Sequence, residues 1–314
     1  MSGASRVALL LPGQGSQFVG MGRELAEASA EIRDLYAEAD DILAYPLSRI
    51  CWEGPEQILT RTDNAQPAIL LHSYAVWRAL PPTIRDRVVV AAGHSVGEFS
   101  AYVAAGTLSF ADALRLVRRR GELMAAAGKA RPGTMAAVIG LDPDAVRAAC
   151  EASRGTVVPA NLNAPGQVVV SGEVDAVARA EEQALARGAR RVIPLNVSGA
   201  FHSPLMQAAR EGLRRALHEV PLADPGFPVV ANASATPVRD AGGAARLLIE
   251  QLTSPVRWVE CVETMRSFDA DRWLEIGPGT VLSGLVRRID RSLAVTAVGD
   301  PTSIETLAGD VGDA

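Results

Sequence analysis

Apolar residues follow two rhythms along the chain. Short runs such as Val7–Leu11, Val88–Ala92 and Trp273–Ile276 are separated by longer stretches in which apolar positions recur roughly every three to four residues. That alternation predicts an α/β sheet with helical crossovers. The first run reads as a buried strand and ends in a glycine-rich turn, Pro12-Gly13-Gln14-Gly15-Ser16-Gln17. Helical spacing covers Glu24–Leu43 and Pro67–Leu80, the second stopped by Pro81-Pro82. The run Val88–Ala92 leads into Gly93-His94-Ser95-Val96-Gly97-Glu98, and two helical stretches then reach about Ala127.

Past Lys129, the only lysine, the pattern changes. Strands are predicted at Met135–Ile139, Thr156–Ala160, Gln167–Ser171 and Arg191–Leu195, with helices at Asp142–Ala152 and Asp175–Arg187. This β-α-β-β-α-β order is ferredoxin-like. It predicts a small subdomain, residues 129–198, inserted into a larger hydrolase-like α/β body with a parallel sheet, made of residues 1–128 and 199–314. The larger pattern resumes with a strand at Phe227–Asn232, helices at Ala244–Leu252 and Val259–Phe268, and a strand at Trp273–Ile276. The turn Gly277-Pro278-Gly279 precedes a helix at Thr280–Ile289 and a last strand at Leu293–Val298. The small, acidic tail from Ser303 reads as frayed.

Composition narrows the class. With 48% hydrophobic and 21% charged residues, a chain of 314 can bury a sizeable core as a soluble enzyme. Thirty-one Lys+Arg against 36 Asp+Glu leave −5, which argues against nucleic-acid binding by general electrostatics. No apolar run approaches the roughly 20 residues that span a bilayer, and the start enters its strand with no cleavable signal, so no membrane role is expected. Cys51, Cys150 and Cys261 are far apart and odd in number, which excludes a disulfide framework and a CxxC metal site. A reducing cytoplasm is the expected compartment.

Gly93-His94-Ser95-Val96-Gly97 is a G-x-S-x-G between a strand and a helix, the setting of a nucleophile elbow. The sharp turn demands tiny flanking residues, and the backbone N–H of Val96 is positioned to serve an oxyanion. A Gly-Ser turn with an N-cap serine is the bland alternative. A serine nucleophile needs a base, and only His72, His94, His202 and His218 are available. His94 adjoins the serine and points elsewhere along the elbow; His72 and His218 lie on helices. By elimination His202, in a loop of small residues, is the base. No acid falls between serine and histidine in the pattern of a lipase-like triad, so a dyad oriented by a backbone carbonyl fits better.

On the helix from Phe110 to Met124, residues Phe110, Ala113, Val117 and Met124 share one face. At about 100° per residue, Arg118 and Arg119 swing toward water, while Arg120 returns to within about 60° of Val117. A guanidinium at that edge suits a carboxylate bidentately. Pairing with helix C-terminal carbonyls accounts for it equally well.

Taken together, seven motifs resemble the malonyl-CoA:acyl-carrier-protein transacylases and the acyltransferase domains of polyketide synthases. They are Pro12-Gly13-Gln14-Gly15-Ser16-Gln17, Gln66-Pro67-Ala68, Gly93 to Ala101, Arg119-Arg120-Gly121, Asn163-Ala164-Pro165-Gly166-Gln167, Gly199-Ala200-Phe201-His202-Ser203 and Glu275-Ile276-Gly277-Pro278-Gly279. The resemblance runs from about Val7 to Val298. It implies that Ser95 becomes the acyl-serine, that His202 is base and later acid, and that the backbone carbonyl of Gln251 orients His202. It also implies an oxyanion hole of the Gln14 and Val96 amides, an Arg120 that clamps a malonyl carboxylate, and a pocket that includes Gln66, Met124 and Phe201. Phe at position 201 and Val at position 96 imply malonyl over methylmalonyl, a preference of about 1–3 kcal/mol.

The implied reaction is ping-pong transfer of malonyl from malonyl-CoA to the phosphopantetheine thiol of an acyl carrier protein, by a monomer, with no metal and no cofactor. The resemblance makes that partner strongly acidic, so a chain of −5 must recruit it through a local basic patch. Arg190-Arg191, Arg214-Arg215 and Arg287-Arg288 are candidates, though a solvated helix face accounts for each pair as well. Transfer of another acyl unit, a serine thioester hydrolase and a non-catalytic carrier-docking protein are the competing readings. The pathway, fatty-acid or polyketide, is left open.

Overall fold

The structure, a computed structural model, describes residues 5–312; the expectation about a signal falls partly on residues 1–4, outside the described residues. Its strands are β1 (Val7–Leu11), β2 (Val88–Gly93), β3 (Gly133–Ile139), β4 (Val157–Ala164), β5 (Gln167–Glu173), β6 (Arg191–Pro194), β7 (Val229–Val230), β8 (Pro237–Val238), β9 (Arg272–Ile276) and β10 (Val295–Val298). Six of them form one sheet in the order β10-β9-β1-β2-β7-β8, parallel except for the β7–β8 hairpin. Val7, Leu9 and Leu11 face one core and Ala8 and Leu10 the other. A strand covered on both sides needs the unbroken apolar run that β1 has.

The other four strands form an antiparallel sheet in the order β4-β5-β3-β6, the ferredoxin-like arrangement. One face packs under the helices Pro143–Glu151 and Val174–Ala186, with Ala136, Val138, Val168 and Val170 meeting Val146, Ala149, Val177 and Ala180. Met135, Ala137 and Val169, pointing the other way, join the core of the main body. Main-chain bonds also tie β4 to the main body: Val256 N–H, before the helix Trp258–Arg266, donates to the Ala160 carbonyl at 2.8 Å, and Leu162 N–H to the Val256 carbonyl at 2.9 Å.

Several boundaries differ from the sequence pattern, each for a local reason. The helical stretch Glu24–Leu43 is two helices, Arg23–Ala28 and Ala30–Leu43, because Ser29 turns extended and caps the Ile32 N–H. The helix expected from Pro67 begins at Thr62 and carries Pro67 inside it. Proline leaves the Asp63 carbonyl without its helical donor. Arg118 Nη1 takes that carbonyl at 2.8 Å. Arg118 is therefore half-buried rather than turned to water: it also bonds Asn64 Oδ1 at 2.8 Å and stacks on Tyr45. The strand expected over Phe227–Asn232 shrinks to Val229–Val230, since the chain turns back to pair with Pro237–Val238. Over the described residues the tail from Ser303 is not frayed: Ser303–Gly312 belong to the helix Pro301–Gly312, in which the Ser303 N–H is capped by Asp300, and residues 313–314 lie outside the described residues.

Close helix packing brings the motifs together. A Cβ on Gly121 would lie 2.6 Å from the Thr62 carbonyl oxygen, so only glycine lets the helix Phe110–Ala130 meet Thr62–Ala79 this closely. The approach sets Gln66 against Arg120.

Candidate active site

The carboxyl ends of β1 and β2 lie side by side, and the turns that follow them are in contact. A Cβ on Gly13 would lie 2.4 Å from the His94 carbonyl oxygen, and one on Gly97 would lie 2.2 Å from that of Leu11. Gly93 is equally constrained, with 1.9 Å to the Gly97 carbonyl carbon. The elbow closes only because these positions lack side chains. At its apex Ser95 adopts a left-handed backbone, φ 53°, and leads into the helix Gly97–Ala104.

His202 Nε2 lies 2.8 Å from Ser95 Oγ, and His202 Nδ1 lies 2.9 Å from the backbone carbonyl of Gln251. The carbonyl accepts from Nδ1–H, which leaves Nε2 as the lone-pair nitrogen facing the serine. His202 also has a left-handed backbone, φ 56°, which turns its ring out of the loop. Burial, with the Arg120 charge second, pushes the imidazole down to about 3, so the ring is neutral at physiological pH. The remaining histidines are engaged elsewhere. His94 lines the same cavity but bonds Asn163 Oδ1 at 2.8 Å, His72 sits buried between Gly299 and Tyr36, and His218 is exposed.

Arg120 is buried, and its fork is spread over neutral groups. Nη1 donates to Gln66 Oε1 at 2.7 Å; Nη2 donates to Gln251 Oε1 at 2.9 Å and to Ser95 Oγ at 3.1 Å. Among the described residues it makes no ion pair. Burial lowers it to about 10, leaving it cationic at neutral pH. Gln66 Nε2 reaches Met124 Sδ at 3.4 Å, and Phe201, nearly buried, borders the same space. Arg120, Met124 and Phe201, with Gln14, Val96, Met135 and Val169, line a cavity of about 400 Å³ between the two sheets, whereas Gln66, expected in the pocket, is buried behind Arg120 and does not border it. Among the described residues neither the Gln14 nor the Val96 backbone N–H has a protein acceptor.

Two residues that sequence reasoning did not pick hold this arrangement from behind. Asn232 Oδ1 accepts from Ser95 N–H at 2.7 Å and its Nδ2 donates to the Gly93 carbonyl at 2.8 Å, bracing both sides of the elbow. Glu98, fully buried, accepts from Gln251 Nε2 at 2.7 Å. The Glu275–Gly279 motif lies apart: Glu275 caps the helix Val281–Ile289 through the N–H groups of Leu282 and Ser283. Gly277, Pro278 and Gly279 border a separate cavity of about 410 Å³ that contains none of the candidate site residues.

Comparison with known proteins gives the family. Residues 9–312 match the family described as acyl transferase domain. The malonyl CoA-acyl carrier protein transacylase of Bacillus subtilis is 45% identical over 304 residues, covering 96% of each chain. The enzyme of the same description from Salmonella typhimurium is 40% identical, over 96% of this chain and 98% of its own. Among solved structures, an acyl carrier protein S-malonyltransferase from Vibrio cholerae superposes with a TM-score of 0.91 at 42% identity, over 96% of this chain and all of its own. A malonyl-transacylase solved in complex with a type II PKS acyl-carrier protein reaches 0.91 at 40% identity, over 98% of this chain. With the elbow, the dyad and the buried arginine in place, the chain belongs to the acyl transferase domain family.

Proposed function

We propose that this protein transfers a malonyl group from malonyl-CoA to the phosphopantetheine thiol of an acyl carrier protein, through an acyl-Ser95 intermediate. One observation carries the reading: Ser95 Oγ has a neutral imidazole at 2.8 Å and a guanidinium without a carboxylate partner at 3.1 Å. A malonyl group has its free carboxylate one methylene from its thioester carbonyl, so it can meet both at once.

Ser95 Oγ attacks the thioester carbon as its proton passes to His202 Nε2, and the Gln251 carbonyl steadies the imidazolium. The Gln14 and Val96 amides take the developing oxyanion. Collapse expels CoA thiolate, which takes the proton from His202. The carrier's thiol then gives its proton to His202 and attacks the acyl-serine; collapse breaks the ester bond, and the Ser95 oxygen takes the proton back from His202 as the malonyl thioester leaves on the carrier. Arg120 holds the carboxylate throughout, with Gln66 and Gln251 fixing the fork. Phe201 and Met124 fill the space an α-methyl would need. The chemistry calls for no metal and no cofactor beyond the CoA thioester.

We place the division between subdomains at residues 129 and 198, with the cavity in the cleft, and propose that the protein works as a cytoplasmic monomer. Acidic carrier protein is expected at a cleft of about 1100 Å³ where Arg190, Arg191, Arg287, Arg288 and Arg291 converge. Among the described residues none of these five is in an ion pair, whereas Arg214 of the third candidate pair bonds Glu211 at 2.9 Å. Radiolabelled malonyl-CoA incubated with protein and carrier should leave its label on the carrier. Label recovered mainly as free malonate with carrier present would favour the thioester hydrolase instead.

A further inference from the structure

The acyl-transfer scheme gives no role to Glu98, the buried carboxyl three positions after the nucleophile. Its Oε2 accepts from the Asn232 backbone N–H at 2.9 Å and from Gln251 Nε2 at 2.7 Å. Oε1 has no hydrogen-bond partner among the described residues. Both anchored residues reach the reacting groups. Asn232 grips the Ser95 N–H, while Gln251 Nε2 also donates to the Ser95 carbonyl at 3.0 Å. Gln251 further offers its side-chain oxygen to Arg120 and its backbone carbonyl to His202.

We propose that Glu98 is a positioning residue for acyl loading: by anchoring Gln251 and Asn232 it fixes the carbonyl facing His202, the amide oxygen facing Arg120 and the backbone of Ser95. The role rests on the acyl-transfer reading above. A side-chain amide can turn end over end, and an ionised carboxylate, which only accepts, admits one orientation: Nε2 inward and Oε1 toward Arg120. The same arrangement puts a neutral amide between the Glu98 and Arg120 charges. Arg120 is thereby compensated from behind while its Nη atoms stay turned to the cavity.

Both donors converge on Oε2, and among the described residues no acceptor pairs with Oε1 to receive a carboxyl proton, which favours the ionised form. Three titratable groups face Glu98: Arg120 from the helix Phe110–Ala130, Cys261 from the helix Trp258–Arg266, and Tyr102 on its own helix. Burial lifts the carboxyl to about 7, against the pull of Asn232, Gln251 and Arg120. Protonation in the neutral range should therefore loosen Gln251 and slow loading, whereas His202 is already neutral there.

The test is single-turnover loading of the full chain at saturating malonyl-CoA, read by intact mass, beside inactivation by phenylmethylsulfonyl fluoride, which has no carboxylate. Wild-type loading should fall as pH drops through about 7. Glu98→Leu should lower both rates by about tenfold or more at pH 8, and Glu98→Gln should recover loading to within about fivefold and lack the acid limb. Persistence of that limb in Glu98→Gln, or losses in both variants that merely track their thermal midpoints, would overturn the proposal. If wild type fails to load malonyl while Glu98→Leu still slows sulfonylation, the acyl-transfer reading falls and the positioning role stands.

Discussion

Arg120 keeps its charge in a buried setting by resting its fork on two amide oxygens and the serine hydroxyl, with Nε unpartnered. In the proposed reaction a charge-assisted pair with the malonyl carboxylate replaces these weaker contacts. Arg120→Ala should cost about 2–3 kcal/mol in kcat/KM for malonyl loading, or about 30- to 160-fold, and far less for acetyl. Loading rates from the two acyl-CoAs check this; equal losses would make the arginine structural. His202 carries a stability signature as well. Its folded pKa, about 3, lies below the unfolded value of about 6.5, so its contribution is whole above 6.5 and is lost as pH falls toward 3. At pH 5 that loss is about 2 kcal/mol. Glu98 acts in the opposite sense, its contribution being whole below about 4.5 and lost as pH rises through about 7. Urea unfolding of wild type against His202→Gln separates them: the variant should lose less stability between pH 7.5 and pH 5, and equal losses would contradict the neutral, buried ring. Ser95 and His202 were legible because an elbow needs its glycines and only four histidines compete. Asn232 and Glu98 were not, because the contacts that define them span 137 and 153 positions.

Between elements, absent side chains set the geometry. Gly13 lies against the His94 carbonyl of the elbow, and Gln14 after it lines the same cavity as Ser95, so Gly13→Ala must push the first turn away. With one of the two proposed oxyanion donors displaced, kcat should fall about 100-fold while KM for malonyl-CoA changes little. Steady-state transfer kinetics measure the split; a rise in KM with kcat intact would mean that the turn serves binding alone. Sequence periodicity located most strands and helices, since buried runs and amphipathic stripes are local. It misjudged the start of the Thr62–Ala79 helix because Pro67 is tolerated only through a donor from another helix, Arg118. The same contact turned Arg118 inward, which no count of degrees along one helix can reveal.

For the whole molecule, a net charge of −5 and the proposed acidic partner are reconciled by locality. Arg190 and Arg191 come from the edge of the small sheet and Arg287, Arg288 and Arg291 from the main body, so the basic cleft exists only when the two parts are docked. Arg288 Nη1 donates to Gln167 Oε1 at 2.5 Å across that junction. Charge reversal by Arg287→Glu should raise KM for carrier protein about tenfold at low salt, with the effect shrinking as ionic strength rises. Transfer rates over a salt series would show it, and an effect independent of salt would move the docking surface elsewhere. The central claim, an acyl group held on Ser95, is tested most directly by intact mass after mixing with malonyl-CoA alone. The expected result is a single malonyl increment that is absent from Ser95→Ala and removed when carrier protein is added. An increment that persists in Ser95→Ala, or none in wild type, would contradict it.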